Sequence, residues 1–147
     1  MSSPHARRWS LRRLAQEAEV LPRIASEAAA EGVIDTNYLT EQDIVLVRLY
    51  GALKRHVWPG ETRPANEEQG LRVWENLAVE TARGALPDEL QPDTGLFISQ
   101  VRSTLATDPG SKCLALFQYA GEPFYYVPLG QWFEELPSRR NGQSAAA

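Results

Sequence analysis

Five arginines close to the N-terminus, Arg7, Arg8, Arg12, Arg13 and Arg23, are the residues of this chain best suited to a defined chemistry. A guanidinium fork matches a phosphate, or the O6/N7 edge of guanine, with two parallel hydrogen bonds. A basic arm ahead of two short helices can reach a minor groove while the second helix enters the major groove. Glu17, Glu19, Glu27 and Glu31 lie among these arginines, so an ordinary solvated face fits the same pattern. On a reading helix, Glu27 would repel phosphate and could only accept from a cytosine amine.

Other chemistries find little support. His5 and His56 stand far apart, with no acidic or cysteine ligands at metal spacing. The single cysteine, Cys113, opens an apolar run and reads as a core residue; it excludes an internal disulfide framework. The adjacent acids Glu67-Glu68 and Glu134-Glu135 point to different faces of a helix, as solvated charge or helix-dipole partners. No glycine-rich phosphate loop, nucleophile elbow, His-Glu-x-x-His or dinucleotide fingerprint is present. Neither a cofactor nor catalysis is expected.

The chain has 147 residues, 43% hydrophobic and 23% charged, which suits a folded chain of one or two small units. No apolar run approaches the roughly 18 residues that span a bilayer. The basic start leads into Leu11-Arg12-Arg13-Leu14 and not into an apolar signal core, so a cytoplasmic location is expected. The net charge of −4 is wrong for a non-specific coat on nucleic acid. Residues 1–55 nevertheless carry eight Arg and Lys against seven Asp and Glu, and residues 56–147 seven against twelve. Any nucleic-acid contact should come from the first third.

The elements that must position these side chains follow from caps and periodicity. Residues 1–8 read as a flexible basic arm and 138–147 as a flexible polar tail. Ser10 is an N-cap for a helix with Leu11, Leu14, Ala15 and Ala18 on one side. Pro22 suits the first turn of a second helix, which Gly32 ends. A third helix is predicted from Thr40 through Val57, with Glu41 and Asp43 in its first turn. It is apolar on two sides, so it either bridges both halves of the chain or pairs with a second subunit. The Trp58–Pro64 stretch, with two prolines and a glycine, divides a head at 9–58 from a small α+β region at 63–137. In the latter, Asn66–Gln69 form a capping-box pattern for a helix running to Ala85.

Over 96–107 helix and strand compete. Asp93 or Thr94 as cap and Asp108-Pro109-Gly110 as stop favour the helix. A β-hairpin is predicted from Lys112–Tyr119 and Phe124–Pro128, with Phe124 and Tyr126 facing opposite to Tyr125. Leu129–Leu136 reads as a short amphipathic helix.

Residues 9–53, about a third of the chain, resemble the head of the MerR-like winged helix-turn-helix superfamily. The resemblance rests on Ala15, on Val20 with Pro22, on Glu31-Gly32-Val33-Ile34, and on Leu39-Thr40-Glu41-Gln42-Asp43. It implies an α+β, mostly helical protein that reads duplex DNA as a transcription regulator. Through it Ser26 takes the place of a helix-two arginine, with Glu27 and Ala28 where that family has aromatics. Asn37 and Tyr38 would form a stub wing, and Glu19 stands where the family has a turn glycine. These departures keep a second function open, a protein–protein interaction module on the same scaffold. A homodimer is expected through the C-terminal region or the third helix, and the aromatic hairpin offers a surface for a protein partner.

Overall fold

The structure, a computed structural model, describes residues 9–61, 71–86, 90–107 and 121–140. Arg7 and Arg8, the Asn66–Gln69 box, Cys113 and the Lys112–Tyr119 run lie outside the described residues. The described elements are α1 (Leu11–Ala18), α2 (Pro22–Ala30), α3 (Asp43–Arg55), α4 (Val73–Ala85), β1 (Gly95–Ile98), β2 (Ser103–Ala106), β3 (Tyr125–Val127) and α5 (Leu129–Glu134). The fold is α+β, with helices packed on a three-stranded antiparallel sheet of order β2-β1-β3.

The first helix starts as its cap dictates: the Arg13 N–H donates to Ser10 Oγ at 3.1 Å. Leu14, Ala15 and Ala18 turn inward. The helix ends at Glu19, which takes the left-handed conformation (φ 59°) while the Val20 N–H reaches back to the Ala15 carbonyl. A Cβ is costly there, by roughly 1–2 kcal/mol. We expect Glu19→Gly to stabilise the protein by about 0.5–1 kcal/mol in urea unfolding, after the added chain entropy is counted. Glu19→Ala should leave stability nearly unchanged, because the strain is in the backbone.

A three-residue turn leads to α2, where Pro22 opens the helix and Ala25 and Ala28 face inward. At its far end Gly32 has φ 79° and the Val33 N–H donates to the Ala28 carbonyl. Arg83 of α4 donates to the Gly32 and Val33 carbonyls at 3.0 and 2.7 Å, tying the end of α2 to the second half of the chain.

The third helix starts later than its sequence suggests. Residues 40–42 form tight turns, with Asp43, Ile44 and Val45 N–H groups bonding carbonyls three residues back. Asp43 Oδ2 accepts from the Thr40 N–H at 2.8 Å, and burial raises the Asp43 carboxyl above the ordinary carboxylate range. The helix also stops at Arg55, with His56 extended behind it, two residues short of Val57. Ten of its thirteen residues are buried, by α1 and α2 on one side and α4 and α5 on the other. Of the two covers that its apolar circumference allows, the chain supplies its own. Gly51 makes this possible: a Cβ there would stand 3.2 Å from Val20 Cγ1 and 3.4 Å from Ile24 Cγ2.

One buried cluster runs across the proposed division at 58–64, from Leu14, Ala28 and Leu53 through Trp58 and Trp74 to Leu96 and Phe133. Between α3 and α4 it contains an ion pair, Lys54 Nζ to Glu75 Oε1 at 3.2 Å, with both side chains almost fully buried. Beside this pair His56 stacks on Tyr125 at 4.3 Å and meets Trp58 edge-on at 4.3 Å. Burial holds the His56 imidazole below its ordinary 6.5, so the folded state favours the neutral ring. The unfolded chain takes up that proton first, so this stabilisation is complete above about pH 6.5 and is lost as the pH falls below it. Thermal unfolding of the wild type should therefore drop further between pH 7.5 and 5.5 than that of His56→Phe.

Residues 96–107 are a hairpin and not the helix favoured by their flanking cap and stop. Leu96 pairs with Leu105 and Ile98 with Ser103. The reversal is made by Ser99, whose Oγ accepts from the Val101 and Arg102 N–H groups and whose own N–H donates to the Arg102 carbonyl. Both faces of β1 are covered: Leu96 and Ile98 join the main core, while Phe97 meets Phe124 and Tyr126 on the other face. That double cover explains why a strand, and not an amphipathic helix, satisfies this apolar run. β3 pairs with β1 among the described residues, and Tyr125 faces opposite to Phe124 and Tyr126. The chain then turns into α5 at Gly130, whose N–H donates to the Thr94 carbonyl at 2.8 Å.

Candidate nucleic-acid interface

The outward side of α2 follows from which residues its packing consumes. Ala25 and Ala28 are buried, so Arg23, Ser26, Glu27 and Ala30 remain exposed. Arg23 Nη1 stands 3.7 Å from Glu27 Oε1, one turn along the helix. Both side chains are well exposed, so water and salt screen the pair and leave either group open to another partner. Ser26 Oγ donates to the Pro22 carbonyl at 3.4 Å, which occupies its proton but not its lone pairs.

On α1, Arg12 is exposed. Arg13 is not equivalent to it, since its guanidinium carbon lies 3.8 Å from the centroid of the Trp9 ring. Such stacking leaves the edge of the guanidinium able to bond while fixing its plane. Asn37 and Tyr38 come after α2, beyond its C-terminal end. The Asn37 N–H donates to Asp35 Oδ1 and the Tyr38 N–H to the Asp35 carbonyl, a short aspartate-led turn. Tyr38 is 77% exposed at the lip of a cleft of about 550 Å³ whose wall includes Arg83 and Asp43. The expected residues therefore divide among three places: Arg12 and Arg13 on α1, Arg23 and Ser26 on the first half of α2, and Asn37 and Tyr38 past its end.

The tertiary structure adds two residues to this surface, Leu21 and Arg55. A groove of about 430 Å³ runs between the α1–α2 turn and α3, with Leu21 and Arg23 on one bank and Arg55 on the other. Val20, Ile24 and Gly51 form its floor. Arg55 reaches it only because α3 passes directly beneath the turn, which no local pattern announces. Leu21, 60% exposed, reads from the sequence as one more apolar residue between helices.

No group of three or more His, Cys, Asp or Glu able to hold a metal occurs among the described residues. No helix among them is long and apolar enough to cross a membrane.

No protein-family model, no curated protein and no solved structure matches this chain. The functional reading therefore rests on the residues themselves.

Proposed function

We propose that residues 9–57 are a MerR-like reading head that binds duplex DNA, and that the chain acts as a cytoplasmic regulator without catalysis. The observation that supports it best is the pair of short helices joined by a three-residue turn on α3. Every buried contact of α2 lies on its alanine side, and Arg23, Ser26 and Glu27 face solvent. A helix held so, entering a major groove by its N-terminal half, presents its free side chains to base edges. Arg12 and the stacked Arg13 would then meet phosphates.

Fluorescence anisotropy with a randomised 20-base-pair duplex at low salt tests the reading, followed by enrichment of the sequences retained. Arg23→Ala should cost about 1–3 kcal/mol and relax preference at one position if it contacts a base. Arg12→Ala should weaken all sequences evenly and flatten the salt dependence by about one counterion. An Arg12/Arg13/Arg23 triple alanine variant that folds and binds as well as wild type would overturn the assignment.

The charge balance of the α2 face favours a second reading, an interaction module that keeps the scaffold but docks a protein. Loss of all duplex binding at low salt would select it. The remaining partner surface is then the C-terminal aromatic pair, where Tyr126 is 37% exposed beside Phe97. A homodimer, which would present two heads to half-sites, would have to form through the C-terminal region, since α3 is covered within one chain. Light scattering at micromolar concentration decides that point.

A further inference from the structure

We propose that Leu21 reads a thymine, by seating its side chain against the C5 methyl group in the major groove. This rests on the duplex-DNA reading above and adds to it the identity of one base. Leu21 is the N-cap of α2, with φ −65° and ψ 145°, and its side chain makes no capping hydrogen bond. Ser, Thr, Asp or Asn at such a position would satisfy one of the free N–H groups of the first turn. Leucine forgoes that bond, and at 60% exposure it gains little from the core in return. Neither helix capping nor packing accounts for it.

Its surroundings do. Leu21 edges the groove whose floor is Val20 and Ile24, and along the same helix follow Arg23 and then Glu27. An apolar group, a guanidinium fork and a carboxylate in succession match three different major-groove edges. These are the thymine methyl, guanine O6/N7 and the cytosine amine. The groove's charges are Arg23, Lys54 and Arg55 against Glu19 and Glu27, and Lys54 is engaged by Glu75. Pro22 sets the chain direction immediately after Leu21, and the Ile24 N–H holds the Leu21 carbonyl at 2.9 Å. The side chain is thus presented from a rigid first turn, the part of a reading helix that reaches bases.

The test uses the full chain and the duplex most enriched from the randomised library. Each thymine of that duplex is replaced in turn by deoxyuridine, which removes only the methyl group. For the wild type, one substitution should weaken binding by about 3–10-fold. For Leu21→Ala, binding to the thymine duplex should fall by a similar factor and the same deoxyuridine should have no further effect. The proposal is overturned if no deoxyuridine matters, or if its effect is undiminished in Leu21→Ala. Circular dichroism of the variant checks that the fold is intact, as expected for an exposed side chain. Absence of any enriched duplex overturns the DNA reading as well, and that result differs plainly from a bound duplex indifferent to its methyl groups.

Discussion

Lys54→Met should destabilise the protein by about 3–5 kcal/mol, the cost of leaving a buried charge without its partner. Glu75 is fully buried, and its Oε1 accepts from both Lys54 Nζ and the Arg72 N–H at the start of α4. Its Oε2 has no hydrogen-bond partner. Removal of the ammonium leaves one carboxylate oxygen held by a single N–H in a low-dielectric site. Lys54→Met/Glu75→Gln should recover at least half of the loss, because the neutral amide keeps an acceptor for Arg72 and no charge remains inside. Urea unfolding of the two singles and the double gives the coupling energy directly. A single variant within about 1 kcal/mol of wild type would mean that the pair is solvated in solution. This pair also joins the proposed reading head to the rest of the chain, since Lys54 lies on α3 and Glu75 on α4. Its loss should therefore loosen the seat of α3 on α4 before it affects the exposed face of α2.

Gly130→Ala should cost about 2–4 kcal/mol. A Cβ at this position would fall on the Gln91 carbonyl and lie 3.0 Å from the Thr94 amide nitrogen, both backbone atoms that cannot rotate away. The same backbone supplies the Gly130–Thr94 hydrogen bond that brings α5 against the start of β1. Gly84→Ala provides the contrast. It adds a methyl group to an exposed turn of α4 with nothing within 4 Å, and should stabilise by up to about 1 kcal/mol through helix propensity. Opposite signs for one chemical change, read by thermal or urea unfolding, separate steric exclusion from chain entropy. Equal effects would place α5 elsewhere than on the residue 91–94 turn.

The first three helices were legible because their determinants are local. Ser10, Pro22 and Gly32 mark helix ends through bonds and dihedral angles that span only a few residues. The apolar spacing around them selects Leu11, Leu14, Ala15, Val20, Ile24, Ala28, Val33, Ile34, Ile44 and Val47; Leu11, Val20 and Ile24 are half-buried against the core and the other seven are buried in it. Glu19 shows how far this reach extends: the turn needs a left-handed residue there, and it has one, although the side chain is not the glycine that suits it. The outward positions of α2 follow in turn, since burying Ala25 and Ala28 leaves Arg23, Ser26 and Glu27 outside.

The residues of 96–107 satisfy two periods at once, so their local pattern does not separate helix from strand. Phe97, Val101 and Leu105 fall at helical spacing, yet Leu96 and Ile98 alternate with Phe97 as a strand requires. Local sequence by itself determined that this run carries an apolar pattern and that helices precede it, and left helix and strand in competition. What decided its conformation was the cover available: main core on one face, Phe124 and Tyr126 on the other, and Ser99 folding the chain between them. The groove is of the same kind. Leu21 and Arg55 are brought to its two banks only by the approach of the α1–α2 turn to Gly51 of α3. Caps and periodicity act over one or two turns of chain, so they specify elements and their faces. Which faces meet depends on contacts between residues far apart in sequence, and these take shape only when the elements pack.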